Sequence, residues 1–173
     1  VGMDHFALPT DALAIAKRQG RLHRNLQGFS PQPDSDLIGL GLSARGRIGV
    51  CYSQNAKTLG AYSDRLNQGL FPVVSGIALT RDDLIRRAII MALVCQGEVS
   101  FEAVELGYLI DFRHYFAAEL ALLAPFVRQG WVVVDEAGIQ VTETGLYGVR
   151  AVAMVFDRYL QADHTRAQFS KVI

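Results

Sequence analysis

Cysteine is scarce: the 173 residues contain only Cys51 and Cys95. They are far apart and show no Cys-x-x-Cys or Cys/His ligand spacing, so neither a disulfide framework nor a zinc site is indicated. Reduced, cytosolic thiols are the simplest reading. No run of 18 apolar residues occurs, which leaves no candidate membrane-spanning helix. The first residues lack a basic segment followed by an apolar stretch and a small-residue cleavage site, so a soluble, cytoplasmic protein is expected. The four histidines, His5, His23, His114 and His164, form no i, i+4 pair and have no carboxylate at metal spacing. They predict no metal site and read as surface or packing residues, with His5 beside Asp4 the one placed to face a ligand. Repeats and low-complexity tracts are also missing.

Net charge is absent too, since 17 basic side chains meet 17 acidic ones, yet the two halves differ. Residues 1–79 carry eight basic and five acidic groups, a surplus of three positive charges. Residues 80–173 carry nine and twelve, a surplus of three negative charges, which points to two units with different roles. Half of the residues are hydrophobic, enough for a buried core and against disorder.

"VGMDHFALP" reads as a strand ending at Pro9, with no neighbour to pair with nearby, as if the chain were part of something larger. Thr10 or Asp11 caps a helix to about Arg18, with Gly20 as its stop. Strands follow near Asn25–Phe29 and at "LIGLGLS", separated by the loop "SPQPDSD". "SQNAKTLGAYSDRLNQG" reads as a helix and "LFPVVSGIALT" as an extended connector. Strand, helix, strand, loop, strand is the pattern of the late part of an α/β barrel, and a domain boundary is placed near residue 75.

Beyond it, Thr80 with Asp83 forms a capping box for a helix whose apolar face reads Leu84, Ala88, Met91 and Cys95. Ser100 caps a second helix. Leu109, Phe112, Phe116, Leu120, Leu123 and Val127 continue at helical spacing until Pro125 kinks or restarts the helix. "WVVVDEAGIQVT" reads as a hairpin, followed by a helix over about 143–160. Helices, hairpin and helix make a winged-helix-like arrangement. Its acidic balance and the Asp135–Glu136 tip oppose phosphate, so nucleic-acid binding is not expected.

In the first half "GLGLSARG" lacks the strand-to-helix setting of a dinucleotide fingerprint. Gly39 and Gly41 serve either close strand packing or a bare backbone edge for a flat ligand. Arg21, Arg24, Arg45 and Arg47 flank that stretch, as a solvated basic face or as forks for carboxylate or phosphate. Arg86 and Arg87 are expected to pair with Asp82, Asp83 or another domain.

Read in order, "GMDHFALP", "LHRNLQGF", "DLIGLGLSARGRIG", "YSQNAKTL", "GIALTRDDLIRR", "YFAAELALLAP", "GIQVTETG" and "FSKVI" resemble the C-terminal portion of the oxygen-independent coproporphyrinogen III oxidase family. These are radical S-adenosylmethionine enzymes of haem biosynthesis. The resemblance implies an α/β plus mostly α fold: residues 1–75 as the final strands and helices of an incomplete radical-SAM barrel, and 76–173 as a helical, winged-helix-like C-terminal domain. It implies that the intact protein, a monomer, oxidatively decarboxylates two propionates of coproporphyrinogen III to vinyls. A 4Fe-4S cluster held by Cys-x-x-x-Cys-x-x-Cys cleaves S-adenosyl-L-methionine for this purpose. That motif is not in this sequence, so the cluster ligands are expected in a missing N-terminal barrel portion, and this chain alone is expected to be inactive.

The family's Arg-Asn-Phe-Gln-Gly motif falls on Arg24, Asn25, Leu26, Gln27 and Gly28, placing Leu26 and Gln27 beside a second S-adenosylmethionine. Ala44 and Arg45 stand where the family commonly has Ala-Ile, and belong to the same cofactor site by resemblance. Leu26 replaces an aromatic residue and Arg45 an apolar one. These departures keep a haem-binding or haem-chaperone paralogue as the alternative, and they leave Arg45 as a candidate partner for a substrate propionate. No catalytic residue is assigned.

Overall fold

The computed structural model describes residues 1–2 and 5–163, with no account of the side chains of 161–163. Met3, Asp4, His164 and the closing "FSKVI" lie outside the described residues. The chain divides into two compact units, one formed by residues 1–22 and 85 onward, the other by His23–Leu84.

In the first unit the expected strand over residues 1–9 does not occur among the described residues; Gly2 and His5 form an isolated antiparallel bridge, the His5 amide donating to the Gly2 carbonyl at 2.9 Å. Helix α1 (Ala12–Arg18) starts as expected, its Asp11 carboxylate accepting from the Leu13 amide at 2.8 Å. It closes at Gly20, whose φ of +66° suits a residue without Cβ.

Helix α3 (Arg81–Gln96) opens on the capping box: the Asp83 carboxylate accepts from the Thr80 amide at 2.8 Å, and Thr80 Oγ1 accepts from the Asp83 amide at 3.2 Å. Its buried stripe includes Ile85, Ile89 and Leu93; of the expected Leu84, Ala88, Met91 and Cys95 only Cys95 is buried. The sequence is apolar on several faces there, so periodicity alone did not select the seam.

Strand β6 (Glu98–Ser100) leads into α4 (Phe101–Tyr108), with Ser100 Oγ accepting from the Ala103 amide at 3.3 Å. The expected helix, kinked or restarted at Pro125, is three short ones: α5 (Phe112–Tyr115), α6 (Ala117–Leu122) and α7 (Ala124–Arg128), with Pro125 in the first turn of the last. Phe112, Phe116 and Leu123 from that series are fully buried, whereas Leu109 is an exposed left-handed cap at φ 52°.

Four phenylalanines form a chain of ring contacts through the core. Phe101 stacks on Phe112 at 4.3 Å, Phe112 meets Phe116 at 5.0 Å, and Phe116 meets Phe156 edge-on at 5.7 Å. The hairpin β7 (Val132–Val134) and β8 (Gly138–Val141) is present, and β6 extends it to an antiparallel sheet in the order β6-β8-β7. The last expected helix is broken into a 3-10 turn (Gly145–Gly148), α8 (Val149–Met154) and α9 (Arg158–Asp163).

The second unit is sheet-rich. "NLQGF" is a hairpin rather than one strand: β1 (His23–Asn25) turns tightly into β2 (Gly28–Ser30). "LIGLGLS" is not a strand apart from a bridge from Leu37 to Arg47. The strand begins later, at β3 (Arg45–Ile48), and pairs with β4 (Cys51–Asn55) across Gly49 and Val50. The expected helix from Ser53 therefore starts only at α2 (Leu59–Asn67), and the expected connector is β5 (Val73–Ala78), paired with β4. All described strand pairs are antiparallel, so no parallel barrel ladder occurs among the described residues. Among them no helix is long and apolar enough to cross a membrane.

The first unit buries a large apolar core, while Ala56 is the one hydrophobic residue of the second unit among the buried apolar side chains described. Ile38, Leu40, Phe71 and Val74 stand exposed instead.

Candidate functional site

Asparagine chemistry builds the first element of the site. Asn25 Oδ1 accepts from the amides of Gln27 at 2.8 Å and Gly28 at 3.2 Å, which closes the β1–β2 hairpin around its own side chain. Gly28 sits at φ +139°, a conformation side-chain-bearing residues rarely adopt. Leu26 and Gln27 are thereby held at an exposed tip, and the Gln27 side-chain amide makes no hydrogen bond among the described residues.

A second asparagine organises the glycine segment. Asn55 is buried, and its Nδ2 donates to the carbonyls of Gly39 at 3.1 Å and Gly41 at 3.0 Å. A Cβ on Gly39 would come within 2.5 Å of the Arg45 carbonyl oxygen, and Gly41 turns at φ +95°. Close packing and a bend thus account for both glycines. Ser43 follows at φ 54°, donating its amide to the Ala56 carbonyl at 2.8 Å, and the Ala44 carbonyl accepts from Asn55 N at 2.9 Å. Ala44 is partly buried, while Arg45 opens β3 opposite Gln54 with its side chain exposed.

The four expected site residues fall in two pairs on separate sheets. Among the described residues no hydrogen bond or ion pair joins Leu26 and Gln27 to Ala44 and Arg45. What the sequence did not reveal is the neighbouring clamp. Arg47 donates to Asp34 Oδ1 at 2.7 Å, to the Ser35 carbonyl at 2.7 Å and to the Gly49 carbonyl at 3.2 Å. Asp36 accepts from the Gly49 amide at 2.8 Å. These bonds fasten the loop after β2 onto β3. Beside it lies a small polar recess of about 40 Å³, lined among others by His23, Arg24, Asn25, Ser30 and Gln32.

The remaining expected residues separate by role. Arg21 bonds the Gln19 side chain. Arg86 donates to Glu119 Oε1 at 2.7 Å and to the Phe156 carbonyl at 3.2 Å, and lies 5.2 Å from the Phe116 ring centre. At the hairpin tip Asp135 is committed to its own turn, accepting from the Ala137 and Gly138 amides, while Arg113 donates to its carbonyl.

Among the described residues no three His, Cys, Asp or Glu side chains group to hold a metal ion. Cys51 is exposed and Cys95 is buried in the other unit. An iron–sulfur cluster needs three or four thiolates at one place, so these two cysteines do not fit it.

Residues 79–147 match the HemN C-terminal domain. Over all 173 residues the chain is 47% identical to the oxygen-independent coproporphyrinogen III oxidase of Escherichia coli, of which it covers 38%. It is 43% identical to that of Synechocystis, also covering 38%, and 42% identical to that of Thermostichus vulcanus, covering 53%. A solved structure of coproporphyrinogen III oxidase from Escherichia coli, described as a radical SAM enzyme, superimposes with a TM-score of 0.89 at 48% identity, over 92% of this chain and 37% of that one. The chain thus spans about two fifths to one half of the length of these relatives.

Proposed function

We propose, from a chain homologous over its whole length to the C-terminal part of oxygen-independent coproporphyrinogen III oxidases, that it serves as that part of such an enzyme. The intact protein oxidatively decarboxylates two propionates of coproporphyrinogen III to give protoporphyrinogen IX. Residues 1–75 complete its radical-SAM barrel and 76–173 form its helical, winged-helix-like C-terminal domain, in a cytoplasmic monomer. The whole-length identity of 47% carries this reading.

The 4Fe-4S cluster is held by residues outside this chain, a reading supported by there being only two cysteines here, one exposed and one buried. When bound there, it supplies the electron that cleaves S-adenosylmethionine. This chain contributes the pocket wall. Gln27 presents an uncommitted amide donor and acceptor suited to the polar end of S-adenosylmethionine, and Leu26 beside it offers apolar area without a ring face. At Ala44 the backbone carbonyl accepts from Asn55, and the side-chain methyl offers van der Waals packing to the ligand. Arg45 is exposed and its guanidinium makes no hydrogen bond among the described residues, which suits it to a propionate of the substrate.

The test is a chimera joining the cluster-bearing N-terminal portion of the Escherichia coli relative to this chain, expressed in a bacterium lacking its own oxygen-independent oxidase. Restored anaerobic haem synthesis is expected. A soluble, cluster-loaded chimera that cleaves S-adenosylmethionine but leaves coproporphyrinogen III unconverted would refute it and favour the haem-handling alternative.

A further inference from the structure

Between the Leu37–Arg47 bridge and the start of β3 the glycine segment belongs to no strand, and Asn55 stands in for the missing neighbour. Its buried side chain donates through Nδ2 to the carbonyls of Gly39 at 3.1 Å and Gly41 at 3.0 Å. Those are alternate residues, the spacing at which an adjoining strand bonds one edge of an extended chain. The Asn55 backbone amide then donates to the Ala44 carbonyl at 2.9 Å, so one residue holds three carbonyls of the segment. Ala56 adds a bond from the Ser43 amide at 2.8 Å, and the Tyr62 hydroxyl of α2 accepts from the Gly41 amide at 3.3 Å.

Two irregularities meet at this point. Ser43 is held at φ 54°, a left-handed conformation that a side-chain-bearing residue keeps only where its surroundings impose it, and such residues cluster at ligand clamps. Asn55 lies at a slip of register: Gln54 pairs with Ser75 but Asn55 with Val73, which leaves Val74 as the extra residue of a bulge. Bulges bend and twist a sheet locally and re-aim side chains, often beside active sites. The ends of the segment are tied without the Asn55 side chain. Leu37 and Arg47 exchange bonds of 2.7 and 2.8 Å, and the β3–β4 ladder begins at Arg45. What the side-chain amide sets is the path in between.

We propose that Asn55 is the positioning residue of the Ala44–Arg45 wall: it bends the glycine segment so that Ala44 and the start of β3 meet the second S-adenosylmethionine. The role rests on the proposed function, in which Ala44 and Arg45 line that cofactor's site. Removing the amide frees two carbonyls yet leaves both ends of the segment paired, so the wall loosens while the sheet persists. Small misplacements of a binding wall are costly to the ligand it orients. The signature is weaker binding at this one site, with the S-adenosylmethionine at the cluster, held by residues outside this chain, unaffected.

The experiment counts radiolabelled S-adenosylmethionine bound to the cluster-loaded chimera by anaerobic equilibrium dialysis, without reductant. In parallel, the EPR spectrum of the reduced, frozen cluster reports the molecule bound there. The expected result is two molecules per wild-type chain, and in Asn55→Ala a second molecule bound at least tenfold more weakly with the cluster's response unchanged. Should Asn55→Ala fail to load its cluster, Asn55→Ser replaces it, since one hydroxyl proton cannot serve both carbonyls, and the same weakening is expected. Gly145→Ala, a strained variant of the other unit, should bind both molecules as wild type does.

Two molecules in wild type and two of equal affinity in the Asn55 variant overturn the role of Asn55 alone and leave the cofactor site standing. Equal weakening in Gly145→Ala also overturns it, because general instability then explains the loss. A wild-type chimera that binds one molecule only overturns the cofactor role of Ala44 and Arg45, and the role of Asn55 falls with it.

Discussion

Replacing Arg86 by Met tests the energetics of the helical unit. The Arg86–Glu119 pair is 2.7 Å long, with side chains only 14% and 8% exposed, and Arg86 also donates to the Phe156 carbonyl and covers Phe116. At an effective dielectric of about 20, charges at that separation attract by roughly 6 kcal/mol, a gross value offset by desolvation of both ions. Arg86→Met leaves the Glu119 carboxylate buried without its cation, and breaking such a pair from one side costs about 3–5 kcal/mol. Arg86→Met with Glu119→Leu removes both charges, so it should cost no more than about 1–2 kcal/mol, less than either single change. Trp131, the sole tryptophan, lies in the same unit, with its ring 5.8 Å from that of Phe126. Its fluorescence during urea unfolding reports the relevant transition. A single Arg86→Met penalty under about 1 kcal/mol, or a double variant as unstable as the sum of the singles, would refute this.

Asn55→Ala should cost about 1–3 kcal/mol, because it strips the buried amide from the Gly39 and Gly41 carbonyls; an unchanged urea midpoint would contradict that role. Gly145→Ala drives a Cβ into the Trp131 carbonyl, and a loss of about 1–3 kcal/mol is expected by the same assay, whereas neutral behaviour would show that the backbone yields. The Lys17 ammonium is pushed below its ordinary 10.5 by burial, partly opposed by Cys95. Folding then disfavours the charged form: the penalty is full below the folded pKa and fades as pH rises through that value towards 10.5. Lys17→Met should therefore be more stable than wild type at neutral pH and lose that advantage above pH 10.5; an equal advantage at both would contradict the burial argument.

Local chemistry was legible in the sequence where a short rule decides it. Asp11, the Thr80–Asp83 box and Ser100 each satisfy orphan amides at a helix start, and Pro125 restarts a helix as its missing N–H demands. Glycine-rich and β-rich segments were read poorly because long-range pairing settles them. "LIGLGLS" has the composition of a strand, but Asn55, sixteen residues after Gly39, holds two of its carbonyls and bends it. Ser53–Asn55 reads as helical by polarity, yet β3 and β5 flank it on both sides. The unpaired Arg24 Nε and the Arg47 clamp depend on side-chain directions that no spacing encodes.

The most direct test mixes this chain with a separately produced N-terminal portion carrying Cys-x-x-x-Cys-x-x-Cys, reconstitutes the cluster without oxygen, and follows protoporphyrinogen IX formation from coproporphyrinogen III. Product from the mixture and from neither part alone, falling sharply with Gln27→Ala, is the predicted result. An assembled, cluster-loaded mixture that consumes S-adenosylmethionine and forms no protoporphyrinogen IX would contradict the account.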